Sequence, residues 1–488
     1  MTGRTTVADV VVDGLRRAGT PYLVGLAHGR AALSVLAAAR AIGMPIVLAS
    51  TGRGACVMAA VAADLADAPG AAAIGDAPDV LPSALERGPM VLITSGHPSA
   101  VSGCKETLGV EPGSAAHRIA HAARLAMTEP RGPVHLDIPA EVARRAAVPR
   151  ATSCRPDAVP YPDSEALDRA AHELSQAARP LLLAGAHCRS SDAAQWLRAF
   201  AEALPAPLLT TARAKGALPD PHPLMLGVLG VTGPDERLLS RADLVVAVGL
   251  ETLEADTLPE PCWSSARVLA FGPAAVPEGR RPAVQVLGEV SAVVEELAGR
   301  LRDKPRANWD LAEVDRLRRE GAAGGGDGLA ARVVRVAREA TEAGTIATVD
   351  AGPYYAHVVA SWYAVAPREL LVPSGPATAG FALPAAIAAH LAHSERRVVC
   401  FSGAAELGAA NELETAARLG APIAIVLFEA DGTDASPLVR QAESLPMSVS
   451  RIDGETRFAE AVARARAAKG PSLIVVQAPD LSQTSATR

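Results

Sequence analysis

The chain alternates two kinds of apolar stretch. One kind spaces its apolar residues by three and four, so residues 7–18, 31–41 and 191–203 read as amphipathic helices. The other kind is short, continuous and rich in β-branched residues: PYLVGLA (21–27), PIVLAS (45–50), MVLITSG (90–96), PVHLDIP (133–139), PLLLAGA (180–186), PLLTTA (207–212), DLVVAVGL (243–250), TIATVD (345–350), RVVCFSG (397–403), IAIVLFEA (423–430) and SLIVVQA (472–478). Strands apolar on both faces and separated by helices predict parallel sheets covered on both sides. Two stretches lack periodicity and read as linkers, a proline-bearing one near 150–165 and a glycine-rich one at 319–330. They divide the chain into 1–155, 163–315 and 328–488. The expected fold class is α/β, with three doubly wound parallel-sheet domains in tandem. Such sheets bind ligands beyond the carboxyl ends of their strands. That directs attention to 27–30, 50–54, 96–98, 350–355, 403–406 and 429–432.

Composition narrows the classes. At 488 residues, 49% hydrophobic and 20% charged, the chain can build several packed cores. A net charge of −6 and 3% aromatic residues speak against nucleic acid or an anionic membrane surface as partner. The six cysteines, at 56, 104, 154, 188, 262 and 400, form no CxxC pair, and no Cys or His set has metal-ligand spacing. The first residues lack the apolar core of a signal peptide, and no run reaches the ~18 apolar residues of a membrane span. The expectation is a soluble cytoplasmic protein without a metal site, acting on a small molecule.

Several stretches resemble one family. TAGFALPAAIAAHLAHSERRVVCFSG (378–403) is similar to the segment leading into the diphosphate site of thiamine diphosphate (ThDP) dependent enzymes of the acetolactate synthase and 2-oxo-acid decarboxylase type. RGPVHLDIP (131–139) resembles the end of their pyrimidine-binding domain, and ARPLLLAGAH (178–187) with TTARAKGALPDPHPLMLG (210–227) resembles their central domain. The resemblance implies a pyrimidine-binding-like, a central and a diphosphate-binding-like domain. It also implies a cleft between the first domain of one subunit and the last of another, hence a homodimer or homotetramer. In that family the Asp of a Gly-Asp-Gly and an Asn after the next strand ligate Mg²⁺, a hard cation that takes oxygen donors. A Glu of the first domain activates the aminopyrimidine ring. Here Gly-Asp-Gly falls on Gly403, Ala404 and Ala405, the Asn pair near Glu429 and Ala430, and the Glu on Gly52. These changes imply that no cofactor is bound. The alternative is ThDP with Mg²⁺ held by Glu406, Glu429 or Asp431, which otherwise read as solvated loop carboxylates. Some relatives bind FAD or ADP in the central domain, and the loose glycine spacing of GVLGVTG (227–233) does not decide this.

Chemistry-bearing residues remain on the strand-end loops: His28 in GLAHGR, His97 in TSGHPS, Cys104 and Lys105 in SGCKET, and Tyr354 and Tyr355 in DAGPYY. A His beside a Cys can generate a thiolate, a buried Lys can form a Schiff base or hold an oxyanion, and His moves protons at neutral pH. The commoner reading of Cys104 is a small buried side chain, and that of Lys105 a solvated one. Three functions follow. The first is an enzyme, transferase or lyase, that acts on a small carbonyl or carboxylate without a normal ThDP–Mg²⁺ site. The second is an unorthodox ThDP-dependent carboligase or decarboxylase of 2-oxo acids. The third is a non-catalytic partner that completes a hetero-oligomer with an intact ThDP enzyme.

Overall fold

The computed structural model describes residues 5–75, 88–96, 100–232, 235–264, 266–277, 279–301, 307–323, 328–375, 379–452, 455–478 and 481. Three six-stranded sheets organise them. The first holds β1 (Leu23–Gly25), β2 (Ile46–Leu48), β3 (Gly70–Gly75), β4 (Met90–Thr94), β5 (Thr107–Gly109) and β6 (Val134–Asp137), in the order β2-β1-β3-β4-β6-β5. The second holds β7 (Pro180–Ala184), β8 (Leu208–Thr210), β9 (Met225–Val228), β10 (Leu244–Val248), β11 (Arg267–Gly272) and β12 (Val284–Leu287), in the order β12-β11-β10-β7-β8-β9. The third holds β13 (Ile346–Val349), β14 (Leu370–Leu371), β15 (Val398–Gly403), β16 (Ile423–Glu429), β17 (Ser448–Ile452) and β18 (Ser472–Gln477), in the order β14-β13-β15-β16-β18-β17. The first and third orders are the same pattern, so one topology occurs twice. Pairing is parallel throughout the first two sheets and along β15-β16-β18-β17. The expected α/β class of three doubly wound parallel sheets is the fold.

The chain forms two compact units. One comprises Met1–Asp157, Thr348–Gly352 and Pro373–Ser482, and the other Ala158–Ala347, Pro353–Val372 and Gln483–Arg488. The helix Leu311–Ala323 runs into the stretch read as a glycine-rich linker. Among the described residues no helix is long and apolar enough to cross a membrane.

In the first unit the opening helix Val7–Ala18 starts at Thr6, whose side chain accepts from Asp9 N while Thr6 N donates 2.8 Å to the Asp9 carboxylate. This reciprocal cap satisfies two amides that a helix start leaves open. Val7, Val11 and Leu15 on its inner stripe are fully buried. The helix Gly52–Ala66 is different, because residues 54–63 are buried all round. It packs on the first sheet and against the helix Ala382–Ala392, which is buried along Ala382–Ala389. Small residues permit this approach. A Cβ on Gly70 would lie 2.0 Å from Ala59 O, and one on Gly88 would lie 2.7 Å from Ala60 Cβ.

In the second unit alternate strand residues divide between two cores. Leu182, Leu208, Leu244 and Leu269 face the helices Ser164–Gln176, Ser191–Ala203 and Val290–Arg300. Leu181, Leu183, Leu209 and Val245 face the opposite layer with Trp309 and Leu317. The strand order reverses between β10 and β7, the kind of switch point where such sheets open a crevice.

Candidate functional site

In the first unit the chain turns sharply after β1. Gly29 adopts φ +82° and Gly75, at the end of β3, φ +67°. A Cβ on Gly75 would stand 3.3 Å from His28 O and 3.4 Å from Gly29 Cα, so the two turns touch backbone to backbone. This fixes the His28 main chain and leaves its imidazole exposed.

The turn after β2 is held from the C-terminal segment of the same unit. Glu412 is fully buried, and its carboxylate accepts Ser50 N at 2.8 Å, Thr51 N at 2.8 Å and Thr51 Oγ1 at 2.7 Å. Thr415 Oγ1 donates the fourth bond at 2.5 Å. Thr51 Oγ1 also accepts Gly54 N at 2.9 Å, which caps the helix Gly52–Ala66. The carboxylate lies so close to this helix start that a Cβ on Gly54 would fall 2.1 Å from Glu412 Oε1. Gly52, first residue of the helix, brings no functional group.

A second buried carboxylate follows β13. Asp350 accepts Phe381 N at 2.5 Å, Ala382 N at 3.1 Å and Ser402 Oγ at 2.6 Å, at the start of the helix Ala382–Ala392. Burial pushes its pKa up to about 6, against the opposing pull of these three bonds. Beyond β15 the chain enters a short helix, Ala404–Ala409, with Gly403 buried, Ala404 half-buried and Ala405 exposed. Beyond β16, Glu429 accepts Ala435 N at 3.0 Å and so closes its own loop, which carries Ala430 and the exposed Asp431. Among the described residues no group of three or more His, Cys, Asp and Glu is placed to hold a metal ion.

The remaining candidates are dispersed. His97 lies outside the described residues. Cys104 is half-buried, and burial drives its thiol up to about 12, which leaves it protonated at neutral pH. Lys105 Nζ donates at 2.7 Å each to Leu125 O and Thr128 O, at the C-terminal end of the helix Ala115–Met127. Partial burial lowers its pKa and Glu129 opposes this. Tyr354, buried, and Tyr355, partly buried, belong to the other compact unit.

Comparison with known proteins agrees with this architecture. The family model described as the thiamine pyrophosphate enzyme central domain matches residues 167–297, and that of the C-terminal TPP binding domain matches 350–435. The chain is 30% identical over 336 residues to the acetolactate synthase isozyme 1 large subunit of Escherichia coli, covering 66% of this chain and 58% of that protein. It is 31% identical over 341 residues to a probable 2-ketoarginine decarboxylase of Pseudomonas aeruginosa, covering 66% and 59%. A probable acetolactate synthase large subunit of Methanococcus aeolicus is 24% identical over 340 residues, covering 62% and 56%. The chain belongs to the thiamine diphosphate-dependent enzyme superfamily. It spans less than three fifths of the length of these relatives.

Two features of this superfamily member had no signal in the sequence. Glu412 sits in NELETAARL beside Glu414, and nothing in the sequence separates it from a surface acid. His135, fully buried on β6, bonds Thr94 Oγ1 through Nε2 at 2.6 Å and Thr107 Oγ1 through Nδ1 at 3.2 Å. In the second unit the crevice between β7 and β10 is filled by the chain itself. The buried Glu254 accepts Ala186 N and Glu251 N at 2.9 Å and Thr211 Oγ1 at 2.6 Å. Glu251 pairs with Arg213 and lies 3.8 Å from the buried Arg189.

Proposed function

We propose that this chain is an acetolactate synthase-like protein that acts on a small carbonyl or carboxylate substrate without a magnesium-anchored diphosphate. The observation that carries the reading is the donor set after β15 and β16. Ala404 has no oxygen, and the Glu429 carboxylate is engaged by Ala435 N rather than presented to a ligand. Asp350, a buried acid of the same unit, is taken up by Phe381 N, Ala382 N and Ser402. These residues do not fit a bound Mg²⁺, which requires several oxygen donors in near-octahedral array. Gly52 supplies no carboxylate of its own, and the Glu412 carboxylate beside its helix start is taken up by Ser50, Thr51 and Thr415. The groups left for chemistry are the exposed imidazole of His28, carried on a rigid turn, and His97 in TSGHPS. Either can relay a proton near neutral pH. We further propose a homo-oligomeric cytoplasmic protein.

The relatives' names support a second reading, a ThDP-dependent carboligase or decarboxylase of 2-oxo acids with unorthodox donors. Calorimetric titration of the purified protein with ThDP in the presence of Mg²⁺ separates the two. Absence of saturable binding up to about 1 mM, a weak-affinity limit, supports the first reading. One tightly held ThDP and one Mg²⁺ per chain overturns it in favour of the second.

A further inference from the structure

In the first sheet β6 lies between β4 and the edge strand β5. Side chains along a strand alternate between its two faces. Val134 and Leu136 of β6 enter the core that also holds Val91, Ile93 and Leu108 of the neighbouring strands. His135, opposite Thr107 in the register, therefore faces the other way, together with Thr94 and Thr107. Its ring reaches both neighbouring strands. Nε2 meets Thr94 Oγ1 at 2.6 Å and Nδ1 meets Thr107 Oγ1 at 3.2 Å. A neutral imidazole donates from one nitrogen and accepts at the other, so two hydroxyls satisfy it in either tautomer. A leucine would fill this place without desolvation cost, whereas a fully buried histidine is costly unless its nitrogens are bonded. What a histidine adds at this position is the pair of bonds.

Those bonds act on the two segments that leave and enter the sheet here. Thr94 closes β4, and the next residue, Ser95, donates its N–H at 3.3 Å to Gly75 O. Gly75 belongs to the turn that touches the His28 main chain. On the other side Thr107 Oγ1 also accepts Val101 N at 3.2 Å. None of residues 100–107 is buried, so no buried apolar side chain pins this segment to the sheet. Polar ties hold it instead. Lys105 N donates to Pro133 O at 2.8 Å and His135 N to Glu106 O at 2.9 Å. Glu106 pairs with His121 through side chains 43% and 38% exposed, where water weakens the pair. Lys105 Nζ reaches its helix carbonyls in contact with water as well. The bonds of the His135 ring are shielded, and a shielded hydrogen bond is electrostatically stronger.

We propose that His135 is a positioning residue, a two-sided clip that fixes the segment from Val101 to Thr107, with Cys104 and Lys105, and the strand end beside the His28 turn. The clip requires no particular chemistry from those loops, so its failure leaves the proposed function standing. The test is site-resolved hydrogen exchange on the full chain, with alkylation of Cys104 by iodoacetamide alongside. His135→Leu is expected to speed exchange at Val101 N and Ser95 N at least about tenfold, the loss of one shielded bond. Leu26 N, bonded to Ala73 O in the same sheet, should keep the parent's rate. Cys104 should alkylate at least about tenfold faster and the fully buried Cys56 no faster. A histidine that only added stability would instead speed all these amides together. Thr94→Val strips the far hydroxyl at constant shape and should speed Val101 and Cys104 at least about threefold through the ring, which decides the matter if His135→Leu does not fold. Thr94→Ser keeps the hydroxyl and should leave both at the parent rate. Val101 or Cys104 left at the parent rate by the folded variants, Leu26 sped as much as Val101, or Thr94→Ser acting as Thr94→Val does, overturns the clip.

Discussion

Glu412 uses both carboxylate oxygens, two bonds each, to hold Ser50, Thr51 and Thr415. Removing it strands one buried and three part-buried donors, and a buried donor left unpaired costs about 1–3 kcal/mol. Glu412→Ala should therefore lower unfolding free energy by at least about 3 kcal/mol in urea denaturation. Gly54→Ala should lower it by about 1–3 kcal/mol, because the new methyl meets the same carboxylate. Asp350 makes an opposite kind of statement. Its folded pKa of about 6 lies above the 3.8 of a freely solvated carboxyl, so the native state holds the proton more tightly across that window. Native stability from this group is full below about 4 and is lost as pH rises through about 6, a difference on the order of 3 kcal/mol. Thermal midpoints of the wild type relative to Asp350→Asn should fall across pH 4 to 6, and a flat difference would refute the assignment. Cys104, driven to about 12, should react with iodoacetamide at pH 8 at least about a hundredfold more slowly than a free thiol. The strand-end pattern had pointed to the segment that opens on Asp350, whereas Glu412 was not legible beforehand. The Ser50–Glu412 contact spans 362 residues, and a buried acid leaves no mark on its neighbours in the chain.

At the level of elements, what could be read was what the strands bury. RVVCFSG and IAIVLFEA became β15 and β16 with nearly the predicted limits, since a sheet covered on both faces demands apolar residues at every position. The strand β3, GAAAIG, gave a weaker signal: its alanines and glycines serve close helix approach, and small residues lack strand propensity. Lys105 shows how an element can claim a residue that looked chemical. Its ammonium caps the carbonyl end of the helix Ala115–Met127, where a cation also meets the favourable end of the helix dipole. Lys105→Met should cost about 1 kcal/mol of stability, seen as a lower denaturation midpoint, with the partly exposed position keeping the effect modest.

For the whole molecule, the repeated strand order of the first and third sheets gives a frame, and the altered positions all sit at its strand ends. If loss of metal donors alone separates this chain from its cofactor-binding relatives, restoring them should have a measurable effect. The triple variant Gly52→Glu, Ala404→Asp, Ala430→Asn is expected to bind ThDP with Mg²⁺ at least about tenfold more tightly than the parent, by calorimetry. No gain would place the divergence in the shape of the loops rather than in their donors. The seam between Gly52–Ala66 and Ala382–Ala392 bears on how such loops could diverge. Residues 54–63 of the first helix and 382–389 of the second are buried, while Ala405 and Asp431, just beyond the ends of β15 and β16, are exposed. Substitutions at the tips therefore leave the seam intact, and a lineage could exchange one chemistry for another there while the protein went on folding as before.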